Sequence, residues 1–150
     1  MSSPRRLLTP FGLLATCTFL FGVRASYGQE GVPSRFQLEK TIEVKAGTTR
    51  LDVKVGEMDF VTASMEVGPP AKGVVRIRLK VAGSNYSDHD HSAQVKATLV
   101  DKSDTVIETA TKKREIEEGE HNKSLTFDFR VTPEQLESGL RFKLVLTYLP

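Results

Sequence analysis

From Val74 to Val81 the chain leaves little choice of conformation. Val75, Ile77, Leu79 and Val81 alternate with Arg76, Arg78 and Lys80. A period of two places the apolar residues on one face and the cations on the other, so this is a half-buried strand and not a helix. Its apolar face needs a second layer to cover it.

Similar stretches supply that layer. Phe36, Leu38, Ile42 and Val44 share one parity and predict a first strand ending at Ala46-Gly47. Leu51, Val53 and Val55 predict a second, closed by Gly56-Glu57. Phe60 to Val67 predicts a third with Val61, Ala63, Met65 and Val67 on one face. Gly68 to Gly73, with Pro69 and Pro70, is a loop, because proline removes a backbone donor and glycine relaxes the chain. After the central strand come Ala93 to Leu99, a tight turn at Asp101 to Asp104, Thr105 to Thr111, and Leu125 to Val131. Lys112 to Lys123 reads as a charged loop or splayed hairpin end. Thr132-Pro133-Glu134-Gln135 has the form of a capped helical turn, with Thr132 as N-cap and Gln135 completing a capping box. The last strand, Leu140 to Leu149, sets Leu140, Phe142, Leu144, Leu146 and Tyr148 on one side.

About eight strands at this spacing, with no helical stretch long enough for a crossover, predict an all-β, antiparallel two-sheet β-sandwich joined by hairpins and Greek-key arches. In architecture the chain resembles immunoglobulin-like and fibronectin-type sandwiches. It lacks the Cys and Trp marks of the antibody type, so the resemblance extends no further than architecture.

The beginning of the chain carries an address. Arg5 and Arg6 precede a mostly apolar run from Leu7 to Val23, and small residues offer cleavage after Ala25 or after Gly28. We therefore expect a secretory signal over residues 1–28, one domain over 29–150, and a secreted or periplasmic product. A retained anchor is the alternative, but the run contains Pro10 and Gly12 and falls short of the ~20 apolar residues of a comfortable span. Leu14-Ala15-Thr16-Cys17 resembles a lipoprotein cleavage box, and Arg5-Arg6 a twin-arginine signal, although an arginine pair is also an ordinary basic start.

Removing the signal reverses the charge argument. Arg5, Arg6 and Arg24 account for three of the 21 basic residues and no acid precedes Gly28, which leaves 18 bases against 19 acids. The basic character of the whole chain thus comes from its leader and gives no support to nucleic-acid binding. Cys17 is the only cysteine and leaves with the same segment, so no disulfide or thiolate chemistry is expected in the product.

Three groups of residues could carry function. If successive strands alternate in direction, the second, fourth and sixth connections share one end of the sandwich, bringing Glu57 and Asp59, then Asp88, His89, Asp90 and His91, then Glu117, Glu118, Glu120 and His121 to one pole. Imidazole with carboxylate suits zinc or copper(II), so His89, His91, His121, Asp88 and Asp90 are candidate metal ligands. A solvated polar loop accounts for the same residues. The glycine-bearing calcium loop pattern is missing.

The second group is Arg76, Arg78 and Lys80, with Lys96, Arg130, Arg141 and Lys143 at similar parity, as a cationic face for an anionic glycan or other polyanion. Against it stands an ordinary sheet surface whose bases pair with Glu39, Glu43 and Asp128. Edge-strand pairing with another chain is a third possibility.

Catalysis finds little footing: there is no Gly-x-Ser-x-Gly, phosphate-cradling glycine loop or His-Glu-x-x-His, and Ser87 and Ser92 merely flank the histidines. Asn85-Tyr86-Ser87 and Asn122-Lys123-Ser124 are formal glycosylation acceptors. The expectation is a non-enzymatic domain of binding or structural role. Its partner would be a protein or glycan, with neither nucleic acid nor, after signal cleavage, membrane.

Overall fold

The computed structural model describes residues 36–150. The expected signal segment, Cys17 and the lead-in Gln29–Ser34 lie outside the described residues. Among the described residues eight strands form: β1 (Phe36–Glu43), β2 (Gly47–Val55), β3 (Met58–Val67), β4 (Val75–Asn85), β5 (His91–Val100), β6 (Val106–Ile116), β7 (Lys123–Val131) and β8 (Arg141–Leu149), with one helical turn, α1 (Pro133–Glu137), before β8. They make two antiparallel four-stranded sheets, ordered β1-β8-β5-β6 and β2-β3-β4-β7. The all-β sandwich read from the alternation is the observed architecture. Among the described residues no helix is long and apolar enough to cross a membrane.

The core forms where the two inner faces meet. Ile77, Leu79 and Val81 from β4, Phe127 and Phe129 from β7, and Phe142, Leu144 and Leu146 from β8 are all sealed from solvent. Phe129 and Phe142 meet across the sheets with ring centroids 4.9 Å apart. Arches carry the chain between sheets at β1–β2, β4–β5 and β6–β7, and α1 returns it to place β8 between β1 and β5. That turn is built as its sequence dictates: the Thr132 hydroxyl accepts from the Gln135 N–H, and the Gln135 side chain accepts from the Thr132 N–H.

One register and four boundaries differ from the alternation. In β3 the register slips between Phe60 and Thr62, so Val61 sits on a bulge; Met58 and Phe60 point inward before it and Ala63 and Met65 after it. An extra residue in one strand reverses the parity beyond it, which a strict period cannot show. Strand β4 continues through Gly83 to Asn85 rather than ending at Val81. Val74 stands outside the strand, bridging Ala71 around the left-handed pair Lys72 and Gly73. Strand β6 runs on to Ile116, absorbing half of the expected charged loop, and β5 begins at His91.

Candidate functional site

The second, fourth and sixth connections meet at one pole of the sandwich, and Asn85 binds two of them together. It is fully buried at the end of β4. Its Nδ2 donates to the carbonyls of His89 (2.7 Å), Ile116 (3.0 Å) and Glu117 (3.3 Å), while its Oδ1 accepts from the Ser87 N–H (3.0 Å) and hydroxyl (2.8 Å). Its backbone N–H donates to Glu120 O, and the Glu118 N–H donates to Asp90 Oδ1 (2.9 Å). A buried amide with every polar atom engaged is a structural joint and not a glycosylation acceptor. The Ser87 hydroxyl also donates to His89 O (2.9 Å), so it belongs to the joint.

The three imidazoles have three different settings. His91 is a strand residue, buried with only 7% of its surface exposed, and not the loop residue its neighbours suggest. Its Nε2 lies 2.7 Å from Glu57 Oε2 on the β2–β3 hairpin, and its Nδ1 lies 3.2 Å from the Tyr148 hydroxyl of β8. With Nε2–H donating to the carboxylate, Nδ1 accepts from Tyr148. Burial, and then the Glu57 carboxylate, hold the Tyr148 hydroxyl above the ordinary tyrosine range. The aromatic ring leaves no room at Gly56, where a Cβ would lie 2.3 Å from Tyr148 Cδ1 and φ is +61°.

His89 stands in solvent, 3.6 Å from Asp88. His121 lies against the exposed ring of Tyr86, centroids 4.5 Å apart and planes 34° from parallel. Of the candidate ligands, Asp88 and His89 thus form one pair, Asp90 caps a backbone N–H, and His91 and His121 turn to other partners. Among the described residues no group of three or more His, Cys, Asp or Glu is placed to hold a metal ion.

The candidate cationic residues are divided between the sheets. Lys96, Arg141 and Lys143 belong to β5 and β8, whereas Arg76, Arg78, Lys80 and Arg130 belong to β4 and β7, so the seven do not share a face. On the second sheet acids interleave with the bases. Asp128 lies 3.1 Å from Arg76 and 3.0 Å from Arg78, and Glu66 lies 3.2 Å from Lys80. Of the expected carboxylate partners only Asp128 takes the role; Glu39 and Glu43 lie on β1 beside β8, where Arg141 and Lys143 pair with Asp104 instead. The two guanidinium groups hold the Asp128 carboxyl below its ordinary range.

Beside Tyr86, and missed by the sequence reading, is a hollow of about 270 Å³ on the outer side of β2 and β3. Asp52, Val53, Lys54, Asp59, Phe60, Val61 and Tyr86 line it. Two adjacent register breaks open it, one between Arg50 and Val53 and one between Phe60 and Thr62, with Asp52 in the left-handed region at φ 47°. An exposed aromatic in an otherwise polar loop was its only trace in the sequence.

No protein-family model matches the chain, and no curated protein matches it. Two solved structures share some of its shape. One is a β-glucuronidase from glycoside hydrolase family 2, 13% identical, with a TM-score of 0.41 over 47% of this chain and 7% of that one. The other is a DUF1425 family member from Shewanella sp. pv-4, 17% identical, with a TM-score of 0.37 over 71% of this chain and 94% of that one. This chain therefore spans only a small part of the glucuronidase. At such TM-scores neither likeness bears on function.

Proposed function

We propose that the chain is an exported, non-enzymatic β-sandwich domain, secreted or periplasmic, that works by binding a glycan or protein partner. The construction of the pole supports this reading. Asn85 holds the β4–β5 and β6–β7 connections from inside, while Tyr86, Asp88, His89 and His121 remain exposed on the outside. Groups already fixed before contact lose little freedom on binding, so such a frame favours recognition over a merely structural role. Ser87, one of the two serines that flank the histidines, is committed to Asn85 and to a carbonyl rather than to an imidazole.

Export is tested by expressing the full chain in a Gram-negative host and measuring the intact mass of the fractionated product. The expected product is periplasmic and begins at Ser26 or Gln29. A cytosolic protein that keeps residues 1–24 would overturn the reading.

A further inference from the structure

We propose that the hollow beside Tyr86 binds a neutral pyranose ring, the terminal or side-chain sugar of a glycan. The proposal deepens the binding reading above and rests on it. Three features converge there. The first is a rigid aromatic surface: Tyr86 is 63% exposed, its ring is backed by His121 at 4.5 Å, and its neighbours Asn85 and Ser87 are locked by the buried joint.

The second is a set of polar groups without protein partners. Asp52, Lys54 and Asp59 line the hollow, and among the described residues none of the three takes part in an ion pair or side-chain hydrogen bond. The third is size. About 270 Å³ falls just below the roughly 300–1,000 Å³ of sites for drug-sized ligands, which suits one ring.

The chemistry narrows the ligand. A pyranose offers an apolar C–H face to the Tyr86 ring and vicinal hydroxyls that donate to Asp52 and Asp59 and accept from Lys54. An anionic sugar or phosphate would meet two carboxylates against one ammonium. A quaternary amine would meet Lys54 and leave the carboxylates without hydrogen bonds. The larger hollow at the other pole, about 460 Å³ and bordered by Glu43, Lys102, Leu136 and Arg141, has no exposed aromatic. Arg141 there is already engaged by Asp104 and by the carbonyls of Asp101 and Lys102.

The test is amide NMR of the ¹⁵N-labelled exported protein. The neutral probes are methyl β-glucopyranoside, methyl β-galactopyranoside, methyl α-mannopyranoside and N-acetylglucosamine; glucuronate and tetramethylammonium serve as charged comparisons. So few contacts imply an affinity on the order of 1 mM, so each is titrated to about 10 mM. At least one neutral sugar should shift the resonances of Val53, Asp59, Val61 and Tyr86. Tyr86→Ala should weaken that binding at least about tenfold and Asp59→Asn severalfold, with unchanged melting temperatures, while Arg78→Ala should leave it intact. No response to any neutral sugar, a response mapping elsewhere, equal binding by Tyr86→Ala, or a stronger response to either charged probe would overturn the proposal. Export is read separately by intact mass, so failure here is distinct from failure of the export reading.

Discussion

Asn85 shows how much a single side chain can hide in a sequence. Followed by Tyr86 and Ser87 it spells a modification acceptor, and its two-residue offset to Ser87 also fits a local turn. Its decisive partners, the carbonyls of Ile116 and Glu117, lie more than thirty residues away and leave no mark on the local pattern. His91 was illegible for the same reason: Glu57 and Tyr148, which give it a buried place, come from the β2–β3 hairpin and from β8. Asn85→Ala should cost about 2–3 kcal/mol, because it strips a buried carbonyl of its donor and unties two connections. Urea denaturation reads the loss. Asn122→Ala offers a comparison at an exposed position of the same pole, where the left-handed backbone (φ 55°) makes any cost one of local strain.

At the scale of elements, β6 and β7 show where pattern and charge mislead. Lys112 to Ile116 read as loop because charge interrupts the alternation, yet β6 is an edge strand, and an edge tolerates long cations on its inward parity. Lys112 donates to Thr126 O and stands 5.6 Å over the Phe127 ring, while Arg114 donates to Ser124 O at 3.1 Å. Both occupy carbonyls on the exposed side of β7, which is itself the edge of the other sheet. The Leu125 to Val131 alternation was legible because both faces of the strand obey the period, and Leu140 to Leu149 because its inward face does, although Thr147 on the outward parity is buried as well. The bulge at Val61 was not legible, since it is settled by how β3 fits β4. Removing both inward cations, in Lys112→Val/Arg114→Val, should uncover the seam. The doubly substituted protein is expected to self-associate at concentrations where the parent stays monomeric, as light scattering would show.

Across the whole molecule, the acidic groups give stability a direction in pH. Arg78 and Arg76 lower the Asp128 carboxyl, Lys143 and then Arg141 lower Asp104, and Lys123 lowers Glu120. A carboxyl whose folded value lies below its unfolded one stabilises the fold above the unfolded value, and that contribution fades as pH falls through the folded one. Melting temperature should therefore decline as pH drops below about 4, the ordinary carboxylate region, and less steeply in Asp128→Asn. Tyr148 acts in the opposite direction: its raised hydroxyl favours the neutral form, so stability should fall as pH climbs past about 10. Because Asp104 and Asp128 are exposed and Glu120 is partly so, added salt should flatten the acid limb. At this scale the two-layer plan was visible from periodicity alone. The pairing of strands was not, because period two tells which side of a strand is apolar and nothing about its neighbour.

That pairing has a temporal consequence. β8, the eighth strand in chain order, is the partner of both β1 and β5, so that sheet stays split in two until Leu149 has been made. Until then β1 has no neighbour in its sheet, and closure of the sandwich waits on β8.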